Sequence, residues 1–305
     1  MTTTVLTASP AQPRSRRRGG KLRPGQVVIR LFLVATSLVW LAPMLWALYT
    51  SLRSFADTSA HGYFSLPGSL SLENYAAAWN QADLPHYFIN SVIITIPAVL
   101  ITLLFSASVA FFISRFNFKI NIFLLMLFTA GNLLPQQVVI TPLYQLYRII
   151  PLPDWLSNGS GLMYNSYFGL IAIHVAFQCG FCTFVLSNYM RTIPHEITEA
   201  ALVDGAPVWR QFWQIILPLC RPAFAALGTL LSIWIYNDFF WGLVLISTGA
   251  NRPITSAISS LSGQYFSNNN LIAAGALMTA IPTLIIYAVL QRQFVRGLTL
   301  GANKG

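Results

Sequence analysis

Six apolar stretches alternate with polar segments along this chain. Val27 to Tyr49 is the first, long enough at about 20 residues or more to cross a bilayer and too long for the core of a cleaved leader. Trp40, Trp46 and Tyr49 sit towards its far end, as an interfacial belt does. Further spans are expected at about Phe88–Ile113 with Pro97 inside, Ile122–Leu146, Phe168–Tyr189, Pro222–Ser247 and Leu271–Gln291. The third holds Gly131, Asn132, Pro135, Gln136 and Gln137. Such residues are tolerated at membrane depth only where protein or a wet cavity satisfies them. Loops are expected at 50–87, where Leu72-Glu73-Asn74-Tyr75 is a possible helix start, and at 147–167. No short-period repeat stands out. The pattern predicts an all-α membrane protein of six transmembrane helices.

The longest polar interruption in the second half runs from Pro194 to Pro222. Pro194 suits a first helical turn, Gly205 the left-handed residue that ends a helix, and Pro207 the start of another. In that second helix Val208, Phe212, Ile215, Ile216 and Leu219 form one apolar stripe, while Arg210, Gln211 and Gln214 are polar. Pro218 and Pro222 then turn the chain. The stretch reads as a short helix, a tight turn and an amphipathic helix between two spans.

Composition sharpens this reading. Only 9% of the 305 residues are charged, against roughly 25% in a soluble domain. The net charge of +10 does not point to nucleic acid, because the basic residues sit in short loops and tails. Six spans put both termini on one side. That side carries Arg14, Arg16, Arg17, Arg18, Lys21, Arg23, Arg30, Arg115, Lys119, Arg191, Arg210, Arg221, Arg292, Arg296 and Lys304; the other carries Arg53, Arg148 and Arg252. Fifteen against three places both termini, and the loop after Pro194, in the cytoplasm. Cys179, Cys182 and Cys220 fall in or beside apolar runs and read as small buried side chains rather than a metal or redox pair.

No set of residues looks catalytic, no histidine pair has metal spacing, and no Gly-x-x-x-x-Gly-Lys loop occurs, so no cofactor or nucleotide site is expected. Any ATP hydrolysis must come from another chain. Asp238 is the only carboxylate inside an expected span, roughly 24 Å along the fifth helix at about 1.5 Å per residue. Trp234, Asn237 and Trp241 stand at helical spacings from it and are expected to share one polar and aromatic face. Such a face suits sugar rings. A polar lock between helices is the other reading. Gln136 and Gln137 carry the same two readings.

Glu199-Ala200-Ala201, then Gly205, then Ile215, Leu217 and Pro218 resemble the Glu-Ala-Ala loop of ABC importer permeases, with Asp204 beside its glycine. Asn237-Asp238-Phe239-Phe240-Trp241 and the ending Gly297 to Gly305 resemble the sugar branch, specifically its maltose-type second permease. The resemblance implies an ABC transmembrane type-1 fold in a prokaryotic cell membrane. It implies a second, different permease, two cytoplasmic ATP-binding cassette subunits, and an extracytoplasmic protein that delivers sugar. Glu199, Ala200, Ala201, Asp204, Gly205, Ile215, Leu217 and Pro218 would couple to the ATPase, the alanines because small side chains enter a cleft. Asn237, Asp238, Trp241, Gln136 and Gln137 are candidates for the substrate path. The loop at about Thr248–Asn270, rich in Ser, Gly and Asn, would insert into the binding protein.

The expected organisation is a flexible basic cytoplasmic tail at 1–26, a first span and external loop at 27–84, and the type-1 domain at 85–293. Within that domain the coupling loop covers 190–221, and a C-terminal tail covers 294–305. The alternative is an ion-coupled carrier or channel without an ATPase. Such a machine needs intramembrane charges, of which only Asp238 qualifies. An intramembrane enzyme is disfavoured by the lack of paired catalytic groups.

Overall fold

A computed structural model describes residues 24–131, 135–259 and 268–299. Most of the expected basic tail, Asn132, the middle of the Thr248–Asn270 loop and the ending from 300 onward lie outside the described residues. The chain divides into two compact units, residues 1–46 and 47–305. The first is described as one helix, α1 (Pro24–Ser51), whose last turn belongs to the second unit.

The second unit begins by solving a capping problem. The final carbonyls of a helix have no partner within it. Those of Thr50, Ser51 and Arg53 accept hydrogen bonds at 2.8–2.9 Å from the amides of Asn74 and Asn270. Arg53 itself is fully buried. Its guanidinium donates to Asp57 at 2.7 Å, to the carbonyls of Gly62, Tyr63 and Ser65, and to the Ser65 hydroxyl. This closes the loop that carries α2 (Phe55–His61) and leads into α3 (Glu73–Asn80).

A long helix, α4 (Leu84–Arg115), follows a left-handed Asp83 and has a proline in its first turn. The chain then forms α5 (Asn121–Gly131), α6 (Gln136–Ile149), α7 (Asp154–Ser157) and α8 (Tyr167–Arg191). The α4–α8 pair is the heart of the unit. The facing stripes are small or polar: Ala98, Thr102, Ser106 and Ala110 on α4, Gly180, Cys182, Thr183 and Ser187 on α8. In lipid there is little hydrophobic gain between helices, so close backbone approach and van der Waals contact hold them. Ser106 donates to the carbonyl of Cys179 at 3.1 Å. All three cysteines are buried and free, as their apolar settings suggested.

Beyond α8 come α9 (His195–Val203), α10 (Val208–Arg210), a π-helical turn at Gln211–Ile216, and α11 (Leu217–Leu219). The rest is α12 (Arg221–Tyr236), α13 (Phe240–Leu245), a 3₁₀ turn at Gly249–Asn251, α14 (Ile254–Ser259) and α15 (Asn269–Thr299). Four helices are long and apolar enough to cross a bilayer, and two bent pairs bring the spans to as many as six. The expected continuous third span is instead α5 and α6, whose axes differ by 92°. Pro135, at the head of α6 with ψ 131°, has no N–H to continue a helix. The expected fifth span is also interrupted: α12 stops at Tyr236 and α13 starts at Phe240. α12 packs against α15 and α4.

Candidate functional site

The loop after α8 is built on a clamp. Arg115, at the end of α4, donates to the carbonyls of Met190 at 2.9 Å and Ile193 at 3.1 Å. These carbonyls lie at and just beyond the end of α8, where a cation is favoured. Met190 and Ile193 are buried, so the entry to α9 is fixed before α9 begins. Pro194 is the N-cap, with ψ 139°, rather than a residue of the first turn. Glu196 supplies an acid to that turn.

The end of α9 follows the expected glycine logic. Gly205 has φ +75°, a conformation that costs glycine nothing. Its N–H reaches Leu202 O at 3.0 Å, and the Ala206 N–H reaches Ala201 O at 2.9 Å. That is the paired closure of a Schellman end. Gln211 completes the turn by donating to Ala206 O at 2.9 Å.

Gln211 corrects the expected stripe. A π-helical turn at Gln211–Ile216 changes the angular register. Gln211 is buried together with Phe212 and Ile216, while Val208 and Leu219 are exposed. Phe212 packs on Phe111 of α4 with ring centroids 5.2 Å apart. Trp209 and Trp213 are exposed.

The coupling candidates therefore divide. Glu199, Ala200, Asp204 and Gly205 are exposed. Ala201 is 7% exposed and turns into its own chain, so it is not free to enter a partner's cleft. Ile215, Leu217 and Pro218 are half-buried in the base of the loop. The exposed tip has apolar members that the motif does not name: Ile197, Leu202 and Val203.

The path candidates do not form one face. Trp241 is buried, Trp234 and Asn237 are exposed, and α12 has ended between them. Asn237 exchanges hydrogen bonds with Thr283 of α15 at 3.2 and 3.3 Å. The Asp238 carboxylate accepts from the N–H groups of Trp241 at 3.0 Å and Gly242 at 3.4 Å, capping α13. Its backbone carbonyl accepts from the Thr255 hydroxyl, and His174 Nε2 lies 3.8 Å from its Oδ2. The cavity it shares with Ser91, Thr95 and His174 is about 10 Å³, room for about one water and not for a sugar ring. Gln136, half-buried, and Gln137, exposed, stand at the start of α6.

The first part of the Thr248–Asn270 loop is held rather than loose. Asn165 accepts from the N–H groups of Ser247 and Thr248, both at 3.0 Å. His86 and Asn90 contact Ala250 O at 2.7 Å, and Asn90 donates also to Arg252 O. The Ser91 hydroxyl accepts from Ile254 N–H at 2.8 Å, at the start of α14. Its composition, rich in Ser, Gly and Asn, said nothing of these partners, which come from α4 and the chain before α8.

Comparison with known proteins agrees with this geometry. The family described as "Binding-protein-dependent transport system inner membrane component" matches residues 83–299. A diacetylchitobiose uptake system permease protein of Streptomyces coelicolor is 32% identical over 272 residues, covering 88% of this chain and 86% of that protein. The melibiose/raffinose/stachyose import permease protein of Bacillus subtilis is 29% identical over 279 residues, 91% and 96% of the two chains. Among solved structures, a chain of a bacterial ABC transporter involved in the import of alginate superposes with a TM-score of 0.73. It is 21% identical, with 94% of this chain and 100% of that chain covered.

Proposed function

The chain belongs to the family of binding-protein-dependent transport system inner membrane components, and from that premise we propose that its cargo is a carbohydrate. It is a membrane-spanning permease subunit of a prokaryotic ABC importer, not an enzyme, and it works with an ATPase and a binding protein. Relatives named for diacetylchitobiose and for melibiose, raffinose and stachyose support an oligosaccharide cargo. We infer a second, different permease, two copies of the ATPase, and an orientation with both termini and α9 in the cytoplasm, on the basic-residue count.

The observation that carries the coupling reading is α9 itself. It is a short helix with a Schellman end, held by Arg115 at its entry and Gln211 at its exit, and it presents Ile197, Leu202 and Val203 to the outside. Glu199, Ala200, Asp204 and Gly205 belong to that presented surface. Ala201, Ile215, Leu217 and Pro218 shape the base beneath it. For the substrate path, Asn237 and Gln137 are the exposed polar candidates, Gln136 is half-buried beside Gln137 in sequence, and Asp238 and Trp241 form wall. The test is co-purification with the partner permease and ATPase, followed by ATPase and uptake assays in vesicles. Hydrolysis stimulated by a sugar-loaded binding protein, with matching sugar uptake, is expected. Uptake driven by an ion gradient without ATP would overturn the reading.

A further inference from the structure

We propose that a basic cavity beside the start of α9 binds the phosphodiester headgroup of an anionic phospholipid. The cavity lies between the α4–α5 turn and the α8–α9 junction and measures about 560 Å³. Arg115, Lys119, Arg191 and His195 line it, and no acidic side chain does. Glu196, next in sequence to His195, is not part of the lining. The ion pairs among the described residues all lie elsewhere, on Asp57 and Asp238. Arg115 is half-buried, and the partners of its guanidinium are neutral carbonyls. A cation partly removed from water without a counter-charge is costly, and an anion placed beside it offsets that cost. Basic pockets between transmembrane helices on the cytoplasmic side suit lipid headgroups.

The source of the anion is decided by what adjoins the charges. Phe118 and Ile122 line the same cavity, yet they are 52% and 71% exposed. The cationic space therefore opens onto an apolar surface. A soluble phosphate uses only the charges; an amphiphile uses both surfaces. The position also has a consequence for coupling. Arg191 ends α8 and His195 begins α9, so a bound headgroup bears directly on the entry to the coupling helix. Placement in the cytoplasmic leaflet rests on the orientation proposed above. Headgroup binding does not, because it can be measured in detergent.

The experiment uses the assembled importer, stripped of lipid in detergent. It is offered phosphatidylglycerol or phosphatidylethanolamine, and separately glycerol 3-phosphate. Native mass spectrometry reads what is retained. Phosphatidylglycerol is expected to be retained in preference to the zwitterionic lipid. The double variant Lys119→Gln, Arg191→Gln should weaken that retention by roughly thirtyfold, the combined effect of two basic side chains at an anionic surface. Lys119→Arg with Arg191→Lys, which keeps both charges, should retain phosphatidylglycerol at the parental level. Displacement of the lipid by millimolar glycerol 3-phosphate would assign the cavity to a soluble anion and overturn the lipid reading. Equal retention of both lipids by the parental complex, or undiminished retention by the double variant, would overturn the site. Should the double variant fail to assemble, Lys119→Gln alone carries the test: retention weakened roughly fivefold is expected for the loss of one basic side chain, and undiminished retention would overturn the site.

Discussion

Asp238 shows how far a single residue can be read. Its presence within an apolar stretch marks it as a carboxylate needing a partner, and the sequence places aromatic and amide neighbours beside it. Those neighbours suggested a face for sugar. The structure spends the carboxylate on two backbone N–H groups at the head of α13. The end of α12 at Tyr236 was not legible, because helical spacing presumes that the helix continues. Gly242 has a related role. A Cβ there would lie 2.6 Å from Cγ of Pro253 and 3.0 Å from the Ser256 hydroxyl. Two changes separate wall from path. Gly242→Ala should destabilise the assembled complex by about 1–3 kcal/mol through overpacking. Asp238→Leu should do so by a similar amount, about 1–3 kcal/mol, by leaving buried N–H groups without an acceptor. In both, thermal unfolding should shift down while sugar uptake per assembled complex stays near parental. A large loss of uptake in fully assembled Asp238→Leu complex would return Asp238 to the path.

At the scale of elements, the long uninterrupted helices were legible and the broken ones were not. α4, α8 and α15 are continuous apolar runs, and hydropathy alone finds them. The break before α6 was signalled by Pro135, yet the residues around it were read as tolerated within one continuous span. The π-helical turn at Gln211–Ile216 leaves no mark in a pattern read at 3.6 residues per turn, so Gln211 was assigned to the wrong side. Its hydrogen bond to Ala206 O makes it part of the turn that follows α9, the proposed coupling helix. Gln211→Ala should therefore leave assembly intact and reduce sugar moved per ATP hydrolysed by several fold, as expected for about 1 kcal/mol of a lost hydrogen bond. An unchanged ratio in reconstituted vesicles would show the turn to be indifferent to it. The loop around Arg53 gives a second, chemically distinct test. The hydrogen bond from Arg53 holds the Asp57 carboxyl below the usual carboxylate range. A carboxyl with a lowered folded pKa stabilises the fold above its unfolded value of about 4 and loses that contribution as pH falls through the folded value. Thermal stability should fall on acidification below about pH 4, and Asp57→Asn should start lower and show a flatter decline there. Parallel curves for the two proteins would exclude the Arg53–Asp57 pair as the cause.

For the whole molecule, family and fold class were legible because each rests on spacing and composition that survive packing. What was not legible is which motif residues face a partner. The Glu-Ala-Ala spacing treats Ala200 and Ala201 alike, yet only Ala200 is exposed and Ala201 is buried in its own chain. The most exposed apolar residues of α9 are Val203 at 88% and Leu202 at 66%. An exposed apolar pair on a short, rigidly held helix is wasted surface in a lone chain and an anchor in an assembly. Substitutions at these sites should accordingly fail in different ways. Ala201→Leu should lower the yield of folded permease before any ATPase is added, since Ala201 is buried against its own chain and a larger side chain overpacks it. Val203→Asp should leave that yield and the pairing with the second permease unchanged. It should weaken retention of the ATPase by roughly thirtyfold or more, the effect of losing a central apolar anchor worth about 2 kcal/mol. The measurement is the amount of ATPase that co-purifies per permease across a dilution series. Parental retention by the Val203→Asp complex would mean that α9 does not dock through this tip, and the exposed apolar pair would need another occupant.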